Sequence, residues 1–188
     1  DLVFGCNGGL QVFLGHGDGT FSPGVSLPLI SAPGLFLGVA VDDFNGDGKL
    51  DIAAVDAGSQ QFSSGSLDFY AGNGDGTFRN PTKDPLALTF PVGLAAGDFN
   101  KDGKSDVLIA YPTVALIGIG NGDGTFQTDP LKSVAVYSGG APDIHNAIAV
   151  IATELQGSGV DVVTADYDAG IVQITLNKAL GSAPPADG

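Results

Sequence analysis

Two acidic loops of one pattern constrain most strongly what this chain can fold into. Residues 43–51 (DFNGDGKLD) carry oxygen-bearing side chains at loop positions 1, 3, 5 and 9 and a glycine at position 6. Residues 98–106 (DFNKDGKSD) repeat this pattern 98 − 43 = 55 residues further on. Alternate residues of a tight loop point inward, and calcium accepts about 6–8 oxygen ligands, so the spacing predicts a calcium site in each loop.

An EF-hand is excluded, although its loop begins in the same way. That loop needs a glutamate at position 12 and a helix on each side, whereas position 12 is Ala54 in the first loop and Ile109 in the second. Each loop is followed by a short apolar run, residues 52–55 or 107–110, which predicts a buried strand. The acidic loops are therefore predicted to join two strands.

A second element, GxGDGTF, also recurs along the chain. It occurs at residues 15–21, 72–78 and 120–126. Glycines beside an Asn or Asp supply the positive φ angles of hairpin turns, so a turn whose aspartate caps backbone N–H groups is favoured over a second metal site. The closing phenylalanines, Phe21, Phe78 and Phe126, are expected to pack between sheets.

Together the two elements predict a repeating unit of four short strands. The first strand is rich in small residues, as in residues 38–41 and 93–96, which suits inner strands that converge on an axis. Four strands recurring at about 40–60 residues are typical of a propeller blade. The predicted units are a partial blade of three strands (1–31), two complete blades (32–90 and 91–139), a fourth blade (140–178) and a linker or frayed tail (179–188).

The loop of the fourth unit, residues 154–161, is degenerate. Glu154, Gln156 and Ser158 occupy its acidic positions, and Asp161 follows one residue early. Calcium is therefore not expected there. The fold class that follows is an all-β arc of three to four antiparallel blades, with calcium loops between strands 1 and 2 of the two complete blades.

Composition agrees with this class and excludes several partners. The chain has 188 residues, 43% of them hydrophobic, with 30 Gly and 11 Pro, which favours an all-β fold with many turns. A formal net charge of −14 opposes contact with nucleic acid or anionic lipid. Cys6 is the only cysteine, so no internal disulfide exists. No apolar run is long enough to insert into a membrane.

The acidic loops followed by GNGDGTF resemble the FG-GAP/VCBS repeat family, which forms the blades of integrin α-subunit heads and of many secreted bacterial proteins. The resemblance implies a β-propeller with calcium between strands 1 and 2. Its ligands would be the side chains of positions 1, 3, 5 and 9 and the carbonyl of position 7. In the first loop these are Asp43, Asn45, Asp47, Asp51 and Lys49; in the second they are Asp98, Asn100, Asp102, Asp106 and Lys104.

The resemblance implies a non-enzymatic calcium-binding module of a secreted or cell-surface protein, serving adhesion or recognition of a protein or glycan. Two alternatives stay open: a scaffold, filament or surface-layer subunit that assembles through open blade edges, and an accessory propeller of a larger secreted enzyme. Propellers close with roughly 4–8 blades, and an open arc exposes strand edges. We therefore expect the ends to pair with the rest of a longer chain, since the sequence starts mid-pattern at Asp1, or with other copies.

Catalysis within the chain is not expected. His16 occupies a turn position where the sister repeats carry asparagine, and His145 has no evident partner triad. The paired carboxylates are explained by their metal-loop spacing. The aromatic residues considered as ligand contacts are Tyr70, Tyr111, Tyr137, Tyr167 and Phe62, although packing is the commoner role for such side chains.

Overall fold

The structure is a computed structural model that describes residues 1–6, 8–27, 36–56, 65–86, 91–111, 114–128, 147–153, 160–166 and 171–175. These residues form fourteen strands and no helix. The strands are β1 (Leu2–Cys6), β2 (Gly9–Phe13), β3 (Val25–Leu27), β4 (Phe36–Asp42), β5 (Asp51–Asp56), β6 (Ser66–Tyr70), β7 (Thr82–Pro85), β8 (Gly93–Gly97), β9 (Asp106–Ala110), β10 (Ala115–Gly120), β11 (Phe126–Gln127), β12 (Ala147–Thr153), β13 (Asp161–Asp166) and β14 (Ile171–Thr175). Within this described part, no helix is long and apolar enough to cross a membrane.

The strands form four separate antiparallel sheets rather than one closed barrel. Sheet 1 is β1-β2-β3, sheet 2 is β4-β5-β6-β7, sheet 3 is β8-β9-β10-β11 and sheet 4 is β12-β13-β14. The predicted all-β class with four-stranded antiparallel sheets is thus confirmed in sheets 2 and 3. The predicted boundaries between units fall in or beside segments outside the described residues, so the division into blades stays a prediction.

Each sheet has two faces, because successive side chains of a strand point to opposite sides. In sheet 2, Ala53 lies opposite Ala40 and Phe69, and these three share one face, which we call the back face. Ile52 lies opposite Val41 and Tyr70 on the other face, the front face. Residues 52–55 of β5 are apolar at both alternating positions because both faces of this strand are covered by neighbouring sheets.

Three apolar clusters join the four sheets in chain order. Leu10, Val12 and Leu27 on the back face of sheet 1 pack with Ile52 and Tyr70 on the front face of sheet 2. The next cluster joins the back face of sheet 2 to the front face of sheet 3: Ala40, Ala53, Phe69, Leu94, Val107 and Ile109. The third joins sheets 3 and 4: Ala95, Leu108, Ile117 and Val162, with Ala152 beside them. The same contact, back face on front face, therefore occurs three times.

The first strands of sheets 2 and 3 lie close together, as their small residues predict. A Cβ atom added at Gly38 would lie 2.5 Å from the backbone nitrogen of Leu94, closer than real side chains approach. Only glycine allows this separation between β4 and β8.

The GxGDGTF elements form the predicted turns. In the second copy, Asp75 Oδ1 accepts hydrogen bonds from the backbone N–H and the hydroxyl of Thr77, at 3.0 and 2.6 Å. Phe126 is buried between sheets 2 and 3, and Phe78 is partly buried between sheets 1 and 2. The expectation for Phe21 was wrong: its side chain is 42% exposed, because it lies on the front face of sheet 1, which the described residues leave uncovered.

Candidate metal loops

The first acidic loop wraps its backbone around the side chain of Asp43. One carboxylate oxygen accepts hydrogen bonds from the N–H groups of Gly46 (2.8 Å) and Asp47 (3.1 Å), and the other accepts one from Gly48 (2.8 Å). Gly46 and Gly48 have φ angles of 74° and 80°, which glycine adopts without strain. The loop therefore converges on one carboxylate at position 1.

The position-9 acid closes the loop from the first residue of β5. Asp51 is fully buried, and its oxygens accept hydrogen bonds from the backbone N–H groups of Phe44 (3.1 Å) and Gly72 (2.8 Å) and from the Asn45 amide (3.2 Å). Burial raises the pKa of the Asp51 carboxyl, and the charge of Asp47 adds to this, while the hydrogen bonds act in the opposite direction. Asp51 thus holds the acidic loop and the following turn together.

The second loop repeats this frame. Asp98 accepts hydrogen bonds from the N–H groups of Asp102 (3.1 Å) and Gly103 (2.9 Å). Asp106, also fully buried, accepts them from Phe99 (2.9 Å) and Gly120 (2.8 Å). Burial again raises the pKa of the Asp106 carboxyl. Two loops 55 residues apart therefore share these four backbone hydrogen bonds, while the bonds from Gly46 to Asp43 and from the Asn45 amide to Asp51 occur in the first loop alone.

The phenylalanine at loop position 2 anchors the loop in the sheet interface, a role that the sequence analysis missed. The Phe44 ring lies 5.4 Å from the Phe126 ring and 6.4 Å from the Phe69 ring, edge to face in both pairs. Its carbonyl accepts a hydrogen bond from Gly124 N–H at 3.1 Å. Phe99 is equally buried in the second loop. An apolar residue repeated between two ligand positions is the sequence sign that could have found this anchor.

The lysine at position 7 lies across the turn of its own sheet. A Cβ atom added at Gly74 would be 3.2 Å from Lys49 Cδ, and one added at Gly122 would be 3.1 Å from Lys104 Cδ. The Lys49 ammonium also lies 3.7 Å from the Asp47 carboxylate. These lysine stems help to hold the loop beside the turn.

The donor chemistry of both loops suits calcium, since each supplies three carboxylates and an amide oxygen. In the structure, however, most of these oxygens accept N–H groups of the loop itself. Among the described residues, no three Asp, Glu, His or Cys side chains lie close enough together to hold a metal ion. The ten predicted ligands stay a prediction.

The structure describes some of the other residues that the sequence analysis considered as ligand contacts, catalytic groups or metal ligands. Tyr70 and Tyr111 are buried in the clusters between sheets, which confirms packing as their role. His16 is exposed, with Nε2 3.5 Å from the Ser22 hydroxyl. Asp161 is fully buried at the start of β13. The candidates that lie outside the described residues are His145, Tyr137, Tyr167, Phe62 and residues 154–159 of the degenerate loop.

Stacked antiparallel sheets, two of them with an acidic loop between their first two strands, define the class of protein to which this chain belongs. A family model described as an FG-GAP-like repeat matches residues 1–54 and again residues 43–109. The two matches together span residues 1–109, more than half of the 188. The chain is a member of the FG-GAP-like repeat family, which confirms the resemblance. No curated protein matches it.

Proposed function

We propose that this chain is a non-enzymatic, calcium-binding β-propeller module of a secreted or cell-surface protein, which serves adhesion or recognition of a protein or glycan. The observation that carries the proposal is the shared frame of the two acidic loops, each closed by a fully buried aspartate. Family membership supports the same assignment. His16, the one histidine in the described residues, lies on an exposed turn, which gives no support to catalysis.

The proposed sites would be held by Asp43, Asn45, Asp47, Asp51 and the Lys49 carbonyl, and by the five equivalent groups of the second loop. A bound divalent ion supplies positive charge that offsets the mutual repulsion of three carboxylates. It would also compensate the burial of Asp51 and Asp106, whose charged forms are disfavoured by desolvation. The role proposed for the ion is structural: it would fix the connection between the first two strands of each sheet.

The expected affinity favours an extracellular setting. Extracellular calcium modules have dissociation constants of about 10⁻⁴–10⁻³ M. At millimolar calcium, such a site adds ~0.4–1.4 kcal/mol to the free energy of unfolding. Micromolar cytosolic calcium would leave it empty.

Chelation tests the proposal. We expect EDTA to lower the midpoint of thermal unfolding by several degrees, because two weak sites lose their ions and ~1 kcal/mol corresponds to about 2–4 °C in a chain of this size. The matched control is the double variant Asp43→Asn, Asp98→Asn, in which asparagine keeps one of the two oxygens that accept loop N–H groups and removes one charge from each site. Its melting curve should respond little to EDTA. An unchanged midpoint for the unsubstituted chain would show that the loops bind no calcium.

Recognition can be tested with the same samples. A cleft of about 480 Å³ beside the first loop is lined by polar groups that include Asn45, Arg79, Asn80 and Asp123. Clefts with a few convergent polar groups are the usual place for a small ligand. Calcium-dependent binding on a glycan array would support recognition, whereas assembly with no bound glycan or protein would favour a scaffold.

A further inference from the structure

The polar cleft beside the first acidic loop lies where sheets 2 and 3 meet. Asn45 and Asp47 of the loop line it on the side of sheet 2, and Asp123 of the following turn lines it on the side of sheet 3. The backbone N–H of Gly124 donates a hydrogen bond to the Phe44 carbonyl at 3.1 Å, which ties the two sides together. The cleft is thus formed by the two four-stranded sheets.

A small residue opens this cleft. Ala71, which precedes the GxGDGTF turn of sheet 2, is part of its lining. The same position is Leu14 in sheet 1 and Ile119 in sheet 3. The Leu14 side chain packs on the GxGDGTF turn of the next sheet. At the contact between sheets 2 and 3 the Phe69 ring lies over the equivalent Gly124 instead, and Ala71 leaves space beside it because its side chain ends at Cβ.

Arg79, which follows the same turn, also departs from the sister repeats. In the first repeat, the equivalent Ser22 hydroxyl lies 3.5 Å from His16 Nε2 of its own turn. In the third, Gln127 Nε2 donates a hydrogen bond to Asn121 Oδ1 of its own turn at 3.2 Å. Arg79, the only arginine of the chain, lines the cleft instead and makes no ion pair among the described residues. Since serine and glutamine serve the turn equally, the turn itself does not require an arginine there.

The polar groups of the cleft are of mixed charge. Arg79 supplies N–H donors, while the carboxylates of Asp47 and Asp123 supply acceptors. An anionic ligand would meet these two carboxylates and a cationic ligand would meet the guanidinium, whereas a hydroxyl group both donates and accepts. Phe69 and Ala71 add an apolar side to the lining, which suits the C–H face of a sugar ring. The lining therefore fits a neutral sugar best.

We propose that the cleft between sheets 2 and 3 binds a neutral pyranose unit of a glycan, with Arg79 donating hydrogen bonds to adjacent ring hydroxyls. The planar guanidinium carries its N–H donors in a fixed fork, which can reach two neighbouring oxygens at once. Arg79 is thus the residue that determines specificity, and Ala71 is the residue that admits the ring. This inference rests on the recognition function proposed above and names its ligand class. It does not depend on calcium binding.

Titrations followed by saturation-transfer NMR test the proposal. The neutral probes are the methyl glycosides of glucose, galactose, mannose and N-acetylglucosamine, and glucuronic acid is the acidic comparison. We expect at least one neutral probe to bind. Ala71→Leu introduces the residue of sheet 1 and should abolish binding by filling the cleft. Arg79→Gln introduces the residue of sheet 3 and should weaken binding by ~10-fold or more, because a charged donor is lost.

Ser22→Gln is the matched control. It makes the same kind of exchange after the first turn, away from the cleft, and should bind like the unsubstituted chain. Circular dichroism melting verifies that each variant is folded. Binding of glucuronic acid alone, or binding that Ala71→Leu or Arg79→Gln leaves intact, would overturn the proposal without overturning recognition. The proposal also fails if no neutral probe binds, and the glycan array then decides separately whether the chain recognises a larger glycan.

Discussion

Sheets 2 and 3 share their loops and turns but differ in the interior of their strands. Asp43 and Asp98 both accept the N–H groups of loop positions 5 and 6, and Asp51 and Asp106 make the same link to the following turn. In contrast, sheet 2 buries Asp56 and Asp68 at the positions that Tyr111 and Leu116 occupy in sheet 3. The hydrogen-bonded parts of the repeat thus require particular residues, whereas a strand position requires mainly a side chain that fits.

The buried acid of sheet 2 has a measurable consequence. Asp68 is 1% exposed and accepts a hydrogen bond from the Ser66 hydroxyl at 2.8 Å. Burial raises the pKa of its carboxyl and the charge of Asp56 adds to this, while the Ser66 hydrogen bond and the charge of Lys83 lower it. In sheet 3 the position of Asp56 is occupied by Tyr111, and burial alone raises the pKa of this tyrosine to about 12. Sheet 2 therefore carries an electrostatic cost that sheet 3 does not.

The largest expected effect tests whether the two loops are equivalent. Asp51→Ala and Asp106→Ala should each lower the free energy of unfolding by about 3 kcal/mol, because each leaves several buried N–H donors without an acceptor. Urea unfolding in EDTA measures this without any contribution from bound metal.

Asp1→Ala is the control that removes an equivalent hydrogen bond at an exposed position. Asp1 makes the same bond, to Gly15 N–H, but in an exposed position, so its loss should cost only about 0.5–1 kcal/mol. Unequal losses at Asp51 and Asp106 would mean that the two loops are not energetically equivalent despite their matching hydrogen bonds.

A smaller effect concerns the interior of sheet 2. Asp68→Asn should raise the free energy of unfolding at pH 7 by about 1 kcal/mol, since it removes a desolvated charge beside Asp56 and keeps an acceptor for Ser66. Because the folded-state pKa of Asp68 lies above its unfolded value, the charged form is the penalised one. The advantage of the variant should therefore be complete above the folded-state pKa and shrink as the pH falls through it towards 3.8.

Asp18→Asn is expected to change the free energy of unfolding in the opposite direction. Hydrogen bonds from the Thr20 hydroxyl and N–H lower the pKa of Asp18, which lies exposed on the first turn. Removing its charge should slightly destabilise the chain at pH 7. Urea midpoints of both variants between pH 4 and pH 7 check the prediction. A pH-independent difference at Asp68 would show that its charge carries no penalty.

Much of this architecture could be predicted because its most specific parts are local. The spacing of residues 43–51 and 98–106 identified the loops, and GxGDGTF identified the turns, since backbone geometry there depends on particular side chains and positive φ angles. The exposure of Phe21 could not be predicted, because it depends on which sheet covers that face. The anchoring of Phe44 was missed although its repeat at Phe99 indicates it, whereas the burial of Asp68 could not be predicted, because it arises from contacts between segments far apart in sequence.

The smallest expected effect lies within the loops, at position 4. Gly46 has a φ of 74°, while Lys101 adopts 63° at the same position and is the one non-glycine residue with positive φ among those described. A left-handed conformation costs an ordinary L-residue roughly 1–2 kcal/mol. Lys101→Gly removes this strain, but it also makes the unfolded chain more flexible, which lowers the free energy of unfolding by about 0.4–1 kcal/mol. We expect a net gain of about 0.5 kcal/mol, measured by urea unfolding in EDTA.

Two further variants separate backbone strain from charge at that position. Lys101→Ala removes the ammonium group and keeps the strained φ, so it should gain nothing. Gly46→Ala introduces the same strain into the first loop and should cost about 1 kcal/mol. If Lys101→Ala stabilises the chain as much as Lys101→Gly, the lysine charge rather than the backbone distinguishes the loops. If Gly46→Ala lowers the free energy of unfolding by about as much as Lys101→Gly raises it, both loops require a left-handed residue at position 4. Lys101 then adopts this conformation with strain that Gly46 avoids.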